Sequence, residues 1–387
     1  MQHRINIINI MYNYISRFII ILVLLLPNQL IKASPAIGIR GVVYDVGLMY
    51  GGTTLSVETF NREQIRYDMD VISNILRCNA VRIEGEDLNR LESAARIAHE
   101  HGLKIFFNPW KMGADSKMTV SYMKEAAKVA EKLRKEGIDI VFVAGCEYTL
   151  FSKGAFPGES FDDRFNWLVS LFADGSQESR ENGILQIEQC CVELNKILSR
   201  MCKAIRKEFK GQVTYSSGTW ENVDWSLFDI VGADYYRRGE TDAEYMAGVE
   251  RYKSIGKPVI VMEMGCCAYK GAAPRGGEGF AVFQGVDENG KPVYEGGIKP
   301  ERSEREQADY IETQISLLDK AAADGVFVYV FRYPIYPYNK EGIDYDMVSY
   351  ALVKSFDKES AKAKSIPAWE PKEAFFRLGS IYTRMAE

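Results

Sequence analysis

Histidine is nearly missing from this chain. It occurs three times in 387 residues, at positions 3, 99 and 101. His3 lies in the N-terminal leader described below. His99 and His101 close a helical stretch just ahead of a β-rich run that begins at Lys104. No histidine remains for a Ser-His-Asp triad, a Cys-His nucleophile pair or a His-rich metal site. The chain also lacks a Walker loop, a GxSxG elbow and a CxxC pair. GGEG at 276–279 reads as a loop, since no strand leads into it and no helix follows. Charge of one sign is not concentrated either: 48 basic residues face 53 acidic ones, for a net charge of −5. That balance excludes a nucleic-acid partner held by phosphate neutralisation. Cysteine is sparse and odd in number, seven in all, so at least one thiol has no partner within the chain. A chain of this length buries a core without staples, which favours free buried thiols. One local disulfide stays open as the alternative if the protein is exported.

Long apolar runs are equally scarce. The one at the N-terminus spans Phe18 to Leu26, after Arg4 and Arg17 and before Pro27, with small residues at Ala33, Ser34 and Ala36. This is the order of a secretory signal, and the run is too short for a ~30 Å hydrocarbon layer. We expect residues 1–33 to be a signal peptide and residues 34–387 one domain. The protein is then secreted or periplasmic, without stable membrane insertion after cleavage. An uncleaved anchor reaching back through Ile15 is the competing arrangement.

What is present is alternation. Hydrophobic residues make up 47% and charged residues 26%, as in ordinary globular domains. β-rich runs fall at Gly38–Tyr44, Ala80–Glu84, Lys104–Asn108, Ile138–Ala144, Gln212–Ser216, Ile230–Tyr235, Pro258–Glu263 and Val326–Arg332. Helical patterns lie between them at Arg62–Leu76, Leu88–His101, Val120–Glu136, Ile184–Phe209, Ala243–Ser254 and Ser303–Ala323. A short helix is expected near Trp220–Leu227 and a last one near Lys372–Met385. Eight strand-then-helix units predict an α/β fold, a (β/α)8 TIM barrel with long loops after strands 4, 7 and 8. A doubly wound open sheet is the other arrangement of such units. Asn289-Gly290 marks a small hairpin inside the second long loop.

In a barrel, chemistry sits where the strands end. Glu147 and Glu263 each stand where an apolar run stops, on strands four and seven. Two carboxyls projecting inward from opposite walls can reach the ~5 Å separation of double displacement at a glycosidic carbon. Arg82, Asn108 with Trp110, Tyr236 and Arg332 with Tyr333 end strands two, three, six and eight. An arginine or tyrosine beside a nucleophilic carboxylate keeps it ionised. Aromatic rings offer flat surfaces to sugar C–H faces. Of Tyr235 and Tyr236, alternation sends one inward, and Tyr236 is nearer the strand end. Trp220 and Trp225 are platforms or loop packing. Cys146 reads as a packing residue, and Asp344 and Asp346 as a weak calcium pattern.

This set resembles clan A of the retaining glycoside hydrolases, and KPVIVMEMG is similar to that clan's strand seven. The resemblance implies an acid/base at Glu147, a nucleophile at Glu263, Arg82 and Tyr236 in support, a carbohydrate substrate, and no cofactor or metal. The sequence departs from the clan in two places: Cys146 holds the usual position of Asn, and Arg332-Tyr333 that of Trp. RGVVYDVG, EMGCCAYKGAA and DYDMVSYALVK are similar to bacterial proteins labelled abortive infection proteins. The expected function is therefore an exported retaining glycoside hydrolase. A carbohydrate-binding or defence-related barrel without catalysis is the rival. A glutamate base for proton abstraction is a third reading, and it would need a metal or cationic electrophile.

Overall fold

The computed structural model describes residues 37–340 and 342–387; the expected signal peptide lies outside them. Eight parallel strands close into a barrel: β1 (Ile39–Asp45), β2 (Ala80–Gly85), β3 (Lys104–Pro109), β4 (Ile140–Cys146), β5 (Val213–Gly218), β6 (Val231–Asp234), β7 (Val259–Met264) and β8 (Gly325–Val328). Each pairs with its neighbours in sequence, and β8 returns to β1. The strands are buried on both faces, which is why they read as continuous apolar runs.

Alternation sorts each strand into two cores. Val43, Phe106, Val141, Met262 and Phe327 fill the barrel, where Phe106 and Phe327 meet edge-on at 4.7 Å. Val42, Ile83, Ile105 and Phe107 face the outer helices. Those helices are α1 (Arg62–Asp70), α2 (Leu88–Glu100), α3 (Ser116–Lys135), α4 (Gln177–Glu208), α5 (Asp242–Lys253), α6 (Glu304–Lys320) and α7 (Glu373–Ala386). A short 3-10 turn, Trp225–Leu227, replaces the helix after β5. None of the described helices is long and apolar enough to cross a membrane.

Two helices begin earlier than their apolar periodicity suggests. Asp115 and Ser176 cap α3 and α4 through their side chains, so polar first turns become helical. The last strand is shorter than expected. The chain leaves β8 after Val328, and the backbone N–H of Leu352 then bonds to Val330. GGEG lies between strands as expected, within Ala273–Val282, where short 3-10 turns flank a non-helical kink at Gly276 (φ 51°), whose added Cβ would meet the Arg237 carbonyl. The hairpin forms as expected, Phe283–Val286 pairing with Pro292–Tyr294 around Asn289-Gly290. All seven cysteines are free thiols, so no local disulfide forms.

Asp344 and Asp346 are not arranged for a cation. Arg302 donates to both, at 2.7 and 2.8 Å, and the buried Lys372 ammonium lies 2.8 Å from Asp346. Positive charge already fills the place a calcium ion would take.

Candidate active site

Closure of the barrel brings polar strand ends to one rim. Asp45, Glu84 and Asn108 are in register across β1, β2 and β3, one layer above Val43, Arg82 and Phe106. Cys146, Ser216, Asp234 and Glu263 complete the rim on β4 to β7. Above it opens a cavity of about 1270 Å³, lined among others by Glu147, Glu263, Asp234, Trp110, Tyr236 and Tyr333.

Arg82 is the fully buried hub below the cavity floor. Its Nη1 donates to Glu263 Oε1 at 2.9 Å and to the Met262 carbonyl at 3.0 Å. Its Nε donates to Asn108 Oδ1 at 2.9 Å. Glu84 lies 3.3 Å away and Asp234 3.8 Å. One guanidinium therefore faces three carboxyls. Burial, with the Glu263 charge adding to it, pushes Glu84 and Asp234 well above the usual carboxylate range. Several carboxyls thus share one guanidinium, and burial favours the neutral forms of Glu84 and Asp234. Tyr236 donates to Glu263 Oε2 at 2.9 Å, so both oxygens of that carboxylate are held. Tyr235 points the other way, stacked on Tyr245 with its hydroxyl on the Tyr245 carbonyl.

Glu147 is built differently. It is half-buried, in the left-handed region at φ 40°, and heads a short helical turn, Tyr148–Phe151. Its N–H bonds to the Ser216 carbonyl. Glu221 pins the turn: it accepts from the Thr149 N–H and hydroxyl and from the Tyr215 hydroxyl, which in turn accepts the Tyr148 N–H. Burial raises the Glu147 pKa well above the ordinary value, with the charges of Asp234 and Glu263 contributing next. Glu147 is thus held toward its protonated form, whereas Glu263 sits against a guanidinium.

Cys146 is buried, with Sγ 3.4 Å from Asp234 Oδ2 and 3.5 Å from Glu263 Oε1. Burial and those two carboxyls hold the thiol well above its usual pKa, so it stays protonated and unreactive. Cys146, Asp234 and Glu263 could together offer three ligands to a metal ion. Arg82 already supplies the positive charge to two of them.

The expected residues divide into three groups. Glu147, Glu263, Trp110, Tyr236 and Tyr333 line the cavity. Arg82 and Asn108 lie beneath it, with Arg82 bonded to both Glu263 and Asn108. Arg332 is displaced from the expected place. It turns outward from the rim toward α1, where its Nε is 3.9 Å from the buried Asp68, while the adjacent Tyr333 turns inward. Trp220 lines the cavity and donates to Thr149, whereas Trp225 packs against Phe228. Asp234 and Glu221 escaped the sequence reading. Asp234 stands where the apolar run of β6 stops, the criterion that singled out Glu263, but the two tyrosines beside it drew attention away. Glu221 lies in a loop and carries no pattern.

Several buried polar atoms under the cavity have no protein partner: Asp45 Oδ2, both Glu84 oxygens, Asn108 Nδ2 and Trp110 Nε1. Glu84 is within ion-pair range of Arg82, but not in hydrogen-bonding geometry. Of these residues only Trp110 lines the cavity; the others lie beneath it, where buried polar atoms suit ordered water.

No family model matches the sequence, and no curated protein is similar to it. Solved structures are similar in fold. A GH113 β-1,4-mannanase aligns with TM-score 0.55 and 15% identity, over 89% of this chain and 98% of its own. The GH113 β-mannanase of Alicyclobacillus acidocaldarius aligns with TM-score 0.54 and 15% identity, over 90% and 97%. A β-glucuronidase from Parabacteroides merdae aligns with TM-score 0.52 and 10% identity, over 89% of this chain and 36% of its own. This protein therefore shares the (β/α)8 barrel fold of these solved glycoside hydrolases.

Proposed function

We propose that this protein cleaves or transfers a glycosidic bond with net retention, using Glu263 as nucleophile and Glu147 as acid/base. The observation that carries the reading is the contrast between two glutamates on one cavity. Glu263 has both oxygens held by donors, one of them a guanidinium. Glu147 is held toward its protonated form by burial and neighbouring negative charge. Environments that differ in this way assign acid and nucleophile.

In the first step a Glu263 oxygen bonds to the anomeric carbon as the glycosidic C–O bond breaks. The proton of Glu147 passes to the departing oxygen. In the second step Glu147, now a carboxylate, takes a proton from water. The water oxygen bonds to the anomeric carbon, and Glu263 is released. Trp110, which lines the cavity and has an unpaired Nε1, supports a sugar ring as the ligand. The solved structures of similar fold include a mannanase and a β-glucuronidase, which is consistent with such a substrate. Export through the N-terminal signal belongs to the same proposal.

The rival, a carbohydrate-binding barrel without turnover, draws on Cys146, which faces Glu263 where the clan carries Asn. One experiment separates them. Glu147→Ala on an aryl glycoside with a weakly basic leaving group should form the glycosyl-enzyme and then stall. Azide should release it as the glycosyl azide with retention. Glu263→Gln should abolish turnover on every substrate. Azide rescue of Glu263→Gln with retention reverses the roles, and wild-type protein inert on a broad aryl-glycoside panel favours the rival.

A further inference from the structure

The cavity is chemically divided. One half is polar: Tyr236, Tyr329, Tyr333 and Tyr350 surround Glu263, with Asp234 and Arg238. The other half is apolar and grows out of the segment that carries Glu147. Three turns of helix, Phe161–Ser170, follow that segment. Phe161, Phe165, Leu168 and Val169 recur at helical spacing along it, and these and Phe172, in the turn that follows, face the cavity. Ile184 and Ile187, from the early turns of α4, form the opposing side.

Rings link this wall to the site. Trp110 meets Phe151 at 4.8 Å, Phe151 meets Phe161 at 4.9 Å, and Phe161 stacks on Phe165 at 5.8 Å. Their contacts with one another leave fewer free faces for a sugar ring. The polar groups nearby are already engaged. Ser160 and Asp163 cap the helix reciprocally, and Arg164 is buried on the carbonyls of Leu150 and Gly158. Trp220 donates to Thr149, and Thr149 to Glu221. Asp162, Glu188 and Asn222 stand only at the solvent edge. Yet Val169 is 51% exposed, Phe172 38% and Ile184 51%. A cavity that leaves apolar side chains wet and offers few free donors is built for an apolar ligand.

The acid must touch the oxygen that joins the two parts of a glycoside. The wall that continues from Glu147, away from Glu263, therefore contacts the leaving group. Resting on the reaction class proposed above, the geometry points to a glycoside with an apolar leaving group, an alkyl or aryl aglycone, as the substrate, with the aglycone lying against Phe161–Ser170 and the start of α4.

Methyl, butyl and octyl glycosides of glucose and mannose, below their micellar concentrations, test this in two ways. Calorimetric binding to Glu263→Gln reads the wall, and turnover by wild type reads the reaction. A half-covered chain should gain about twofold per methylene, on the order of 100-fold from methyl to octyl. The double variant Val169→Asp, Ile184→Asp should collapse that octyl-to-methyl ratio. The same change at Phe376 of α7, 61% exposed and outside the cavity, should leave the ratio intact. Benzyl glycosides provide the aryl arm, and a larger gain with either benzyl or octyl supports the inference and names the aglycone type. Turnover with no gain from methyl to octyl or benzyl, or a gain only with added sugar units, overturns the inference and leaves the reaction class standing. Chain-length-dependent binding with no turnover of any glycoside overturns the reaction class, and with it the assignment of this wall to a leaving group.

Discussion

Replacing Arg82 by methionine removes the one cation at the floor of the site while keeping most of the volume. Three carboxyls, Glu84, Asp234 and Glu263, lie within 3.8 Å of that guanidinium. Removing one partner of a buried ion pair costs about 3–5 kcal/mol, because the remaining charge is left uncompensated. Unfolding entropy of about 2.1 cal/mol/K per residue over a barrel of about 350 residues converts this to a fall of roughly 4–7 °C in Tm. The loss should depend on pH with a definite sign. Without the guanidinium the folded cluster must hold at least one more proton than in wild type. A group whose folded pKa is raised stabilises fully below its unfolded pKa and loses that contribution as pH rises. Each extra proton therefore costs about 1.4 kcal/mol per pH unit above pH ~4.5, until it is released. Thermal unfolding of both proteins at pH 5 and pH 8 should show a larger gap at pH 8. An equal gap at both values, or a variant as stable as wild type at pH 8, would refute the idea that Arg82 neutralises this cluster.

Tyr236→Phe removes one donor to Glu263 Oε2 while keeping the ring against Tyr350, so kcat/KM should fall about 10- to 100-fold with Tm little changed; a change below threefold would remove Tyr236 from the site's function. Because the first step needs Glu147 protonated and its pKa is raised, kcat/KM should decline on the alkaline side at a pH above the ordinary carboxyl range. That limb should vanish in Glu147→Ala on an activated aryl glycoside, as a pH–rate profile will show. Native protein should resist iodoacetamide at Cys146, since the thiol is buried and held protonated; rapid labelling there by peptide mass analysis would contradict this. Lys372→Met should destabilise the barrel by about 1.5–3 kcal/mol in denaturant titration, because Asp346 loses its buried ammonium and keeps only Arg302.

The sequence by itself determined the barrel and its two glutamates. Strands covered on both faces must be apolar throughout, so the residue at which each run stops marks the rim, and Glu147 and Glu263 stand there. Tyr236 was legible by alternation, and Arg82 by its place toward the end of strand two, although the strand runs on to Gly85 and leaves it beneath the cavity. Other features were decided only when the sheet closed. Asp234 gained its role because β6 lies beside β7, which brings its carboxyl to the same guanidinium as Glu263. Arg332 lost its expected place because its side chain turns toward the buried Asp68 of α1, leaving Tyr333 facing the cavity. Glu221, in a loop with no period, works only because the barrel carries it beneath the turn after Glu147. The physical reason is the range of the forces. Burial of a strand's two faces imprints a local period on the residues. The pairing of buried charges depends on neighbours distant in sequence, and only register and closure bring them within a few ångströms.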